Sequence, residues 1–179
     1  MHKLILTLTL ILCFRSDVSY FSWNQDHKLQ WEDFQGEADH GIDAVAVTAS
    51  GITFSYSIQK SSTKGIVGVK TEVFAHFYPE HSWCKKELID DHILAHEQLH
   101  FDITELNVRY LKEKIEQLKV SPTLAEQLDS YHEKANAALA QMQKKYDTES
   151  HFSIDKRGQA TWSAFVKDEL KRLESFKSQ

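Results

Sequence analysis

Cysteine and proline are scarce in this chain of 179 residues, and each occurs only twice. Cys13 falls in an apolar stretch near the N-terminus, so only Cys84 would remain if that stretch were removed. A single cysteine cannot form an internal disulfide, and the fold must therefore depend on its hydrophobic core and on any metal ion it binds. The composition, 41% hydrophobic and 26% charged, is that of a globular domain.

The sequence also lacks a basic patch and an apolar run long enough to span a bilayer. The formal net charge is −5, and nucleic acid is not an expected partner. The apolar run Leu4–Phe14 follows Lys3 and is typical of a signal-peptide core. We predict a signal peptide at residues 1–19, secretion or periplasmic export, and one domain over residues 20–179 with no integral membrane span. Lipid anchoring at Cys13 is the less favoured alternative, because the leucine before it fits a lipoprotein signal poorly.

Alternating apolar and polar residues predict the strands. The stretches 52–59 and 67–78 alternate in this way and are separated by the turn-forming residues 61–65, which indicates an antiparallel hairpin. Residues 44–49 could form its upstream part. Residues 29–34 could form a short first strand.

Helical stretches follow the hairpin. Residues 87–118 contain no glycine or proline and are rich in good helix formers. Ser121 and Pro122 mark a break, after which we predict helices at 123–145 and 159–176. The predicted fold class is α+β, a small antiparallel sheet followed by three helices.

The first of these helices carries the sequence His96-Glu97-Gln98-Leu99-His100, an H-E-x-x-H motif. This spacing puts two imidazoles one turn apart, both within the apolar stripe that faces the core. Two such histidines can bind one Zn²⁺, and Glu97 can then act as general base toward a metal-activated water. The alternative is a pair of hydrogen-bonded core histidines that bind no metal.

A catalytic zinc ion needs a third protein ligand. Asp102 and Glu105 point away from His96 on a straight helix, and are better interpreted as groups that anchor the helix. If the second helix packs antiparallel to the first, residues near 142 come level with His100 and the residues after Lys145 arrive beside the motif. This geometry favours His151 as the third ligand.

Two other histidines are alternatives to His151 as the third ligand. His132 is the next candidate, although it lies too close to the turn between the helices to come level with His100. His92, one turn before His96, cannot share a metal ion with both motif histidines, and we assign it to the core or to the surroundings of the site.

Several short motifs of the chain are similar to those of a bacterial family of predicted secreted zinc-dependent proteases, itself a domain of unknown function. They occur in one order: residues 29–36, 44–52, 82–83, 96–105, 146–151 and 159–162. The resemblance implies a zincin-like hydrolase outside the cytoplasm. It also implies His96 and His100 as metal ligands and Glu97 as the catalytic acid/base.

The sequence thus predicts a secreted zinc peptidase whose substrate is a peptide or protein, with Glu97 as catalytic residue, and His96, His100 and His151 as ligands of Zn²⁺. Tyr131 or Tyr146 could stabilise an oxyanion. An exposed edge of the hairpin could hold the substrate as an added strand. The alternative function is a non-catalytic metal-binding module.

Overall fold

The computed structural model describes residues 19–178. The predicted signal peptide, residues 1–19, lies outside these residues apart from Ser19. The architecture is α+β, as the sequence predicts, with short and long antiparallel strands followed by three long helices. No helix in the described part of the chain is long and apolar enough to cross a lipid bilayer.

The predicted hairpin is present. Strand β3 (Ser50–Ser61) pairs with β4 (Gly65–Phe77), and β1 (Phe21–Ser22) pairs with the other side of β4. Gly65 has φ of 72° in the connecting turn, a conformation that glycine adopts without steric cost. The alternation of β4 is confirmed, because Val73, Ala75 and Phe77 are buried on one face.

Two predictions for strands were wrong. Residues 29–34 form no strand, and Trp31–Asp33 is a 3₁₀ turn. The Gln30 backbone N–H donates to Asp33 Oδ2 at 2.8 Å, a local hydrogen bond that competes with an extended strand. The stretch 44–49 is not the upstream part of the hairpin either. Its residues Ala46–Val47 form a separate strand, β2, paired with β5 (Trp83–Cys84).

Three helices follow β5. Helix α1 (Asp91–Glu116) begins after Asp90, whose side chain accepts a hydrogen bond from the Ile93 backbone N–H at 2.7 Å and so caps the helix. Helix α2 (Leu124–Glu149) continues past the predicted end at Lys145. Helix α3 (Lys156–Arg172) is capped by Asp155.

Helix α1 lies at the centre of the fold. It packs against the hairpin strands on one side and against α2 and α3 on the others. Its buried residues include Ile103, Leu106 and Val108, none of which is exposed. Helix α1, which carries the H-E-x-x-H motif, is therefore packed on several sides by the rest of the fold.

Candidate metal centre

The two histidines of the motif lie side by side on α1. Their Nε2 atoms are 3.2 Å apart and their ring centroids 4.8 Å apart. His96 is buried, and the side chain of His100 is 13% exposed. The helix and the inward-facing stripe expected from the sequence are both present.

Helix α2 brings a carboxylate to this pair. Asp147 Oδ1 lies 2.9 Å from His100 Nε2 and 3.3 Å from His96 Nε2. Within the described residues, His96, His100 and Asp147 form the group of side chains that could hold a metal ion, and their ligand atoms all lie within 4.8 Å of one another. The three atoms converge on one point between the two helices.

The structure offers Asp147 in place of His151. The His151 side chain is exposed and lies in the turn after α2, where the residue has φ of 48°. The antiparallel packing was predicted correctly, since Gln143 contacts His100 as expected for a residue near 142. The predicted end of α2 at Lys145 was wrong. One further turn puts Asp147 four residues after Gln143 on the same face of the helix.

The other histidines considered from the sequence lie elsewhere. The ring of His132 packs against Phe54, with centroids 5.1 Å apart, and its Nε2 lies 3.0 Å from Asn136 Nδ2. His92 Nε2 lies 2.7 Å from the Ser153 carbonyl oxygen. His92 thus binds the turn that follows α2, in keeping with the surrounding role expected for it.

The carboxylates of α1 that were expected to anchor the helix do so. Asp102 accepts hydrogen bonds from Trp23 Nε1 at 2.7 Å and from Gln98 Nε2 at 2.8 Å. Glu105 is fully buried, and Arg109 Nε donates to it at 2.8 Å. Both contacts lie on the side of α1 away from the metal centre, so they leave its ligand-bearing face free.

Gln143 fixes the protonation pattern of His100. Gln143 Nε2 donates to the His100 carbonyl oxygen at 2.9 Å and to Thr104 Oγ1 at 3.3 Å. Its Oε1 therefore faces His100 Nδ1 as an acceptor, so that Nδ1 carries the hydrogen in the neutral ring. The Nε2 lone pair then points at Asp147 and His96, which is the tautomer that a metal ion requires.

Tyr146 packs against His96 on the buried side of the site. Its ring stacks on His96 at a centroid distance of 4.5 Å, and its hydroxyl donates to the His96 carbonyl oxygen at 3.5 Å. The residue is fully buried, and desolvation raises its pKa. Neither Tyr146 nor Tyr131 lines the cleft described below, so neither is placed to stabilise an oxyanion there.

The electrostatics of the three groups are coupled. Burial alone would raise the pKa of Asp147, but hydrogen bonds from His100 and His96, together with their charges, hold it well below its usual range. Burial alone would lower the pKa of His100, but Asp147 and the charge of Glu97 outweigh burial and raise it. Without a metal ion, the three side chains attract a proton to this point, where a cation would also be stabilised.

A cleft of about 870 Å³ opens onto the metal centre. Residues 43–48 form one wall, α1 and α2 form the floor and a second wall, and Phe152, Ser153 and Ile154 form the rim. Glu97 lines the floor and is only 4% exposed, and its Oε2 has no hydrogen-bond partner among the described residues. His96 Nδ1 is likewise without a partner. The arrangement can hold a cation beside an uncommitted carboxylate.

Comparison with curated proteins and with solved structures gives no match. Residues 34–153 match the profile of a family described as bacterial protein of unknown function, DUF922. This stretch contains the whole candidate metal centre and more than half of the chain. The chain therefore belongs to the DUF922 family of bacterial proteins.

Proposed function

We propose that this protein is a zinc-dependent, zincin-like peptidase that acts outside the cytoplasm. The observation that carries the proposal is the convergence of His96 Nε2, His100 Nε2 and Asp147 Oδ1 next to Glu97 on the floor of an open cleft. A purely structural metal site has no use for an uncommitted carboxylate at that place, whereas a hydrolytic site needs one.

The three ligand atoms fit a zinc ion. Zinc binds nitrogen and oxygen ligands at about 2.0–2.2 Å, so two ligands of a tetrahedral site are about 3.4 Å apart. The three observed separations are 2.9, 3.2 and 3.3 Å. Two neutral imidazoles and one carboxylate are a donor set that zinc accepts, and three protein ligands are the number that catalytic zinc sites use.

Glu97 would move the proton in the reaction. Bound zinc supplies Lewis-acid chemistry, polarising a carbonyl group and lowering the pKa of water. Glu97 accepts the proton of the attacking water and returns it to the nitrogen of the leaving amine. The Glu97 carboxylate lines the same cleft as the ligand group, and its charge acts on His100. The unpartnered Oε2 shows that no described side chain competes for that oxygen.

Strand β2 offers the substrate a backbone to bind. The Lys85 N–H donates to the Val45 carbonyl oxygen at 2.8 Å, and Ala46 is opposite Cys84. Because hydrogen-bonding direction alternates along a strand, the N–H and C=O of Ala46 point away from β5. Ala46 lines the cleft. An extended peptide can therefore add to β2, which is a second possibility beside the hairpin edge that the sequence suggested.

A hydrogen bond to α1 fixes the position of the segment that contains β2 relative to the candidate metal centre. Thr48 Oγ1 donates to the Glu97 carbonyl oxygen at 3.2 Å. The segment that would hold the substrate is thus tied to the residue that would act on it. Such a direct link keeps the scissile carbonyl and the general base in register.

The proposal is tested by metal content and peptide cleavage measured on the same preparation. Purified protein covering residues 20–179 should contain about one zinc ion per chain and should cleave casein. Stripping with 1,10-phenanthroline should abolish cleavage, and added Zn²⁺ should restore it. His132→Ala serves as a control, because this histidine lies outside the site. Protein that binds zinc but cleaves no casein or peptide library would support the alternative, a non-catalytic metal-binding module.

A further inference from the structure

An unusual turn forms the rim of the cleft. His151, Phe152 and Ser153 have φ values of 48°, 51° and 72°, and they are the non-glycine residues with positive φ in the described chain. A side chain with a Cβ disfavours this conformation, and three successive cases persist only where the surroundings hold them. The backbone of this turn is therefore held against its local preference.

Contacts on both sides of the turn hold it in place. The Phe152 N–H donates to the Asp147 carbonyl oxygen at 2.9 Å, and the Asp155 N–H donates to the Ser150 carbonyl oxygen at 2.8 Å. His92 binds the Ser153 carbonyl oxygen from α1. The turn is thus fixed to both helices that carry the metal ligands.

The start of α3 fixes the other end of the turn. Gly158 packs so closely against the end of α2 that a Cβ there would lie 2.2 Å from the Glu149 carbonyl oxygen. Asp155 accepts hydrogen bonds from the Arg157 and Gly158 N–H groups at 2.9 and 3.1 Å. The turn cannot relax without separating these two helices.

The consequence of this conformation is the exposure of two large apolar side chains. Phe152 is 68% exposed and Ile154 is 81% exposed, and both line the cleft. Ile93 on α1 and Leu139 on α2 line the same cleft below them. Exposed apolar side chains that line a cleft with a candidate catalytic centre are suited to contact an apolar group of a ligand.

The charges of the cleft select against acidic ligands. Its lining contains the carboxylates of Asp43, Glu97 and Asp147, and no lysine or arginine among the described residues. Away from the ligand group, an acidic substrate side chain would meet the like charges of Asp43 and Glu97 without a lysine or arginine to pair with it. An apolar side chain would meet Phe152, Ile154, Ile93 and Leu139.

We infer that Phe152 and Ile154 form a specificity subsite for a large apolar side chain of the substrate peptide, such as leucine or phenylalanine, close to the scissile bond. This inference rests on the proposed peptidase function and names its substrate class. Phe152 and Ile154 line the same cleft as His96, His100 and Asp147, which puts the subsite and the ligand group in one cleft.

Binding and cleavage are measured separately to test the inference. The probes are fluorescein-labelled hexapeptides of alanine and glycine that carry leucine, phenylalanine, alanine or aspartate at one central position. Binding is measured by fluorescence anisotropy with zinc-loaded Glu97→Gln protein, in which the peptide should not be consumed, and with wild-type protein stripped of metal by EDTA. Cleavage is measured with the zinc-loaded wild type.

The leucine and phenylalanine peptides should bind about 10-fold or more tightly than the alanine peptide, within the range that apolar pockets achieve. The double variant Phe152→Ala/Ile154→Ala should lose most of this preference and bind the alanine peptide unchanged. The control Phe165→Ala/Val120→Ala also removes two exposed apolar side chains, of 43% and 49% exposure, that do not line the cleft. It should bind all four peptides as the parent protein does.

Equal binding of the four peptides would overturn the inference, and so would a preference that survives in the double variant. Selective binding without cleavage by the wild type would support the subsite and count against the peptidase. Cleavage without selectivity would support the peptidase and count against the subsite. Circular dichroism melts of each variant show whether a loss reflects unfolding.

Discussion

Gln143 and His100 are joined by two hydrogen bonds across the interface between α1 and α2. The amide nitrogen of Gln143 donates to the His100 carbonyl oxygen at 2.9 Å, while its oxygen accepts from the His100 ring. The first bond fixes which way the amide faces. The second then fixes which ring nitrogen of His100 is left free for a cation.

Replacing Gln143 should therefore weaken metal binding although Gln143 is not itself a ligand. We expect Gln143→Ala to lower zinc affinity by about 10- to 100-fold, the usual effect of losing a group that orients a ligand. The measurement is a competition titration against a chromophoric zinc chelator. Gln141→Ala is the matched control, because Gln141 is exposed on the same helix. Equal affinities for the two variants would refute the orienting role of Gln143.

Alanine variants of Asp147 and His151 show which of the two residues is the third metal ligand. Asp147→Ala should weaken zinc binding about as much as His100→Ala does, because each removes one of three ligands. His151→Ala should leave binding nearly unchanged, since the imidazole is exposed outside the ligand group. The same chelator competition ranks all three variants. A larger loss for His151→Ala than for Asp147→Ala would restore the ligand set expected from the sequence.

Glu97→Gln tests the general base. The amide has the size of the carboxylate but cannot accept the proton, so zinc content should stay at the wild-type level. The cleavage rate should fall by about 10²- to 10⁴-fold. Both are measured on one preparation, with Glu133→Gln on the exposed face of α2 as the control. Unchanged turnover would remove Glu97 from the mechanism.

The metal-free protein should show a pH dependence of stability that originates at the ligand group. The raised pKa of His100 contributes stability that is complete below about pH 6.5 and is lost as the pH rises through the raised value. The lowered pKa of Asp147 contributes stability that is complete above about pH 3.9 and is lost as the pH falls toward the lowered value. Both contributions are present between about pH 4 and 6.5.

Urea unfolding of EDTA-treated protein between pH 4 and 9 measures this dependence. In the wild type, the free energy of unfolding should decline above about pH 6.5. In Asp147→Asn protein this decline should be smaller. Asp168→Asn, at an exposed position of α3, should keep the wild-type profile. Added zinc should stabilise the protein more as the pH rises, because zinc competes with protons for the same atoms. A profile for Asp147→Asn that matches the wild type would show that the dependence originates elsewhere.

Export is predicted from the sequence and is tested in cells. The protein recovered after expression in a bacterial host should begin between about Ser16 and Trp23, as N-terminal sequencing would show. A variant without residues 4–14 should stay in the cytoplasm, and its N-terminus should not be cleaved. Soluble cytoplasmic wild-type protein with Met1 intact would refute the prediction of a signal peptide.

The sequence alone determined the elements with strong periodicity. Alternation predicted the hairpin of β3 and β4, because side chains on a strand point to opposite faces. Helical spacing predicted that His96 and His100 share the inner face of α1, and the short connection at Ser121 predicted that residues near 142 come level with His100. These features depend on local geometry, which can be derived from the amino-acid sequence alone.

Only the tertiary structure decided which side chain joins His96 and His100 in the candidate metal centre. The last turn of α2 contains Tyr146, Asp147 and Thr148, which are weak helix formers, so local propensity favours an earlier end. Burial of Tyr146 against His96 and the bonds of Asp147 to both histidines stabilise that turn, as tertiary packing does for most helices. The added turn brings Asp147 to the candidate metal centre and leaves His151 in the strained turn beyond it.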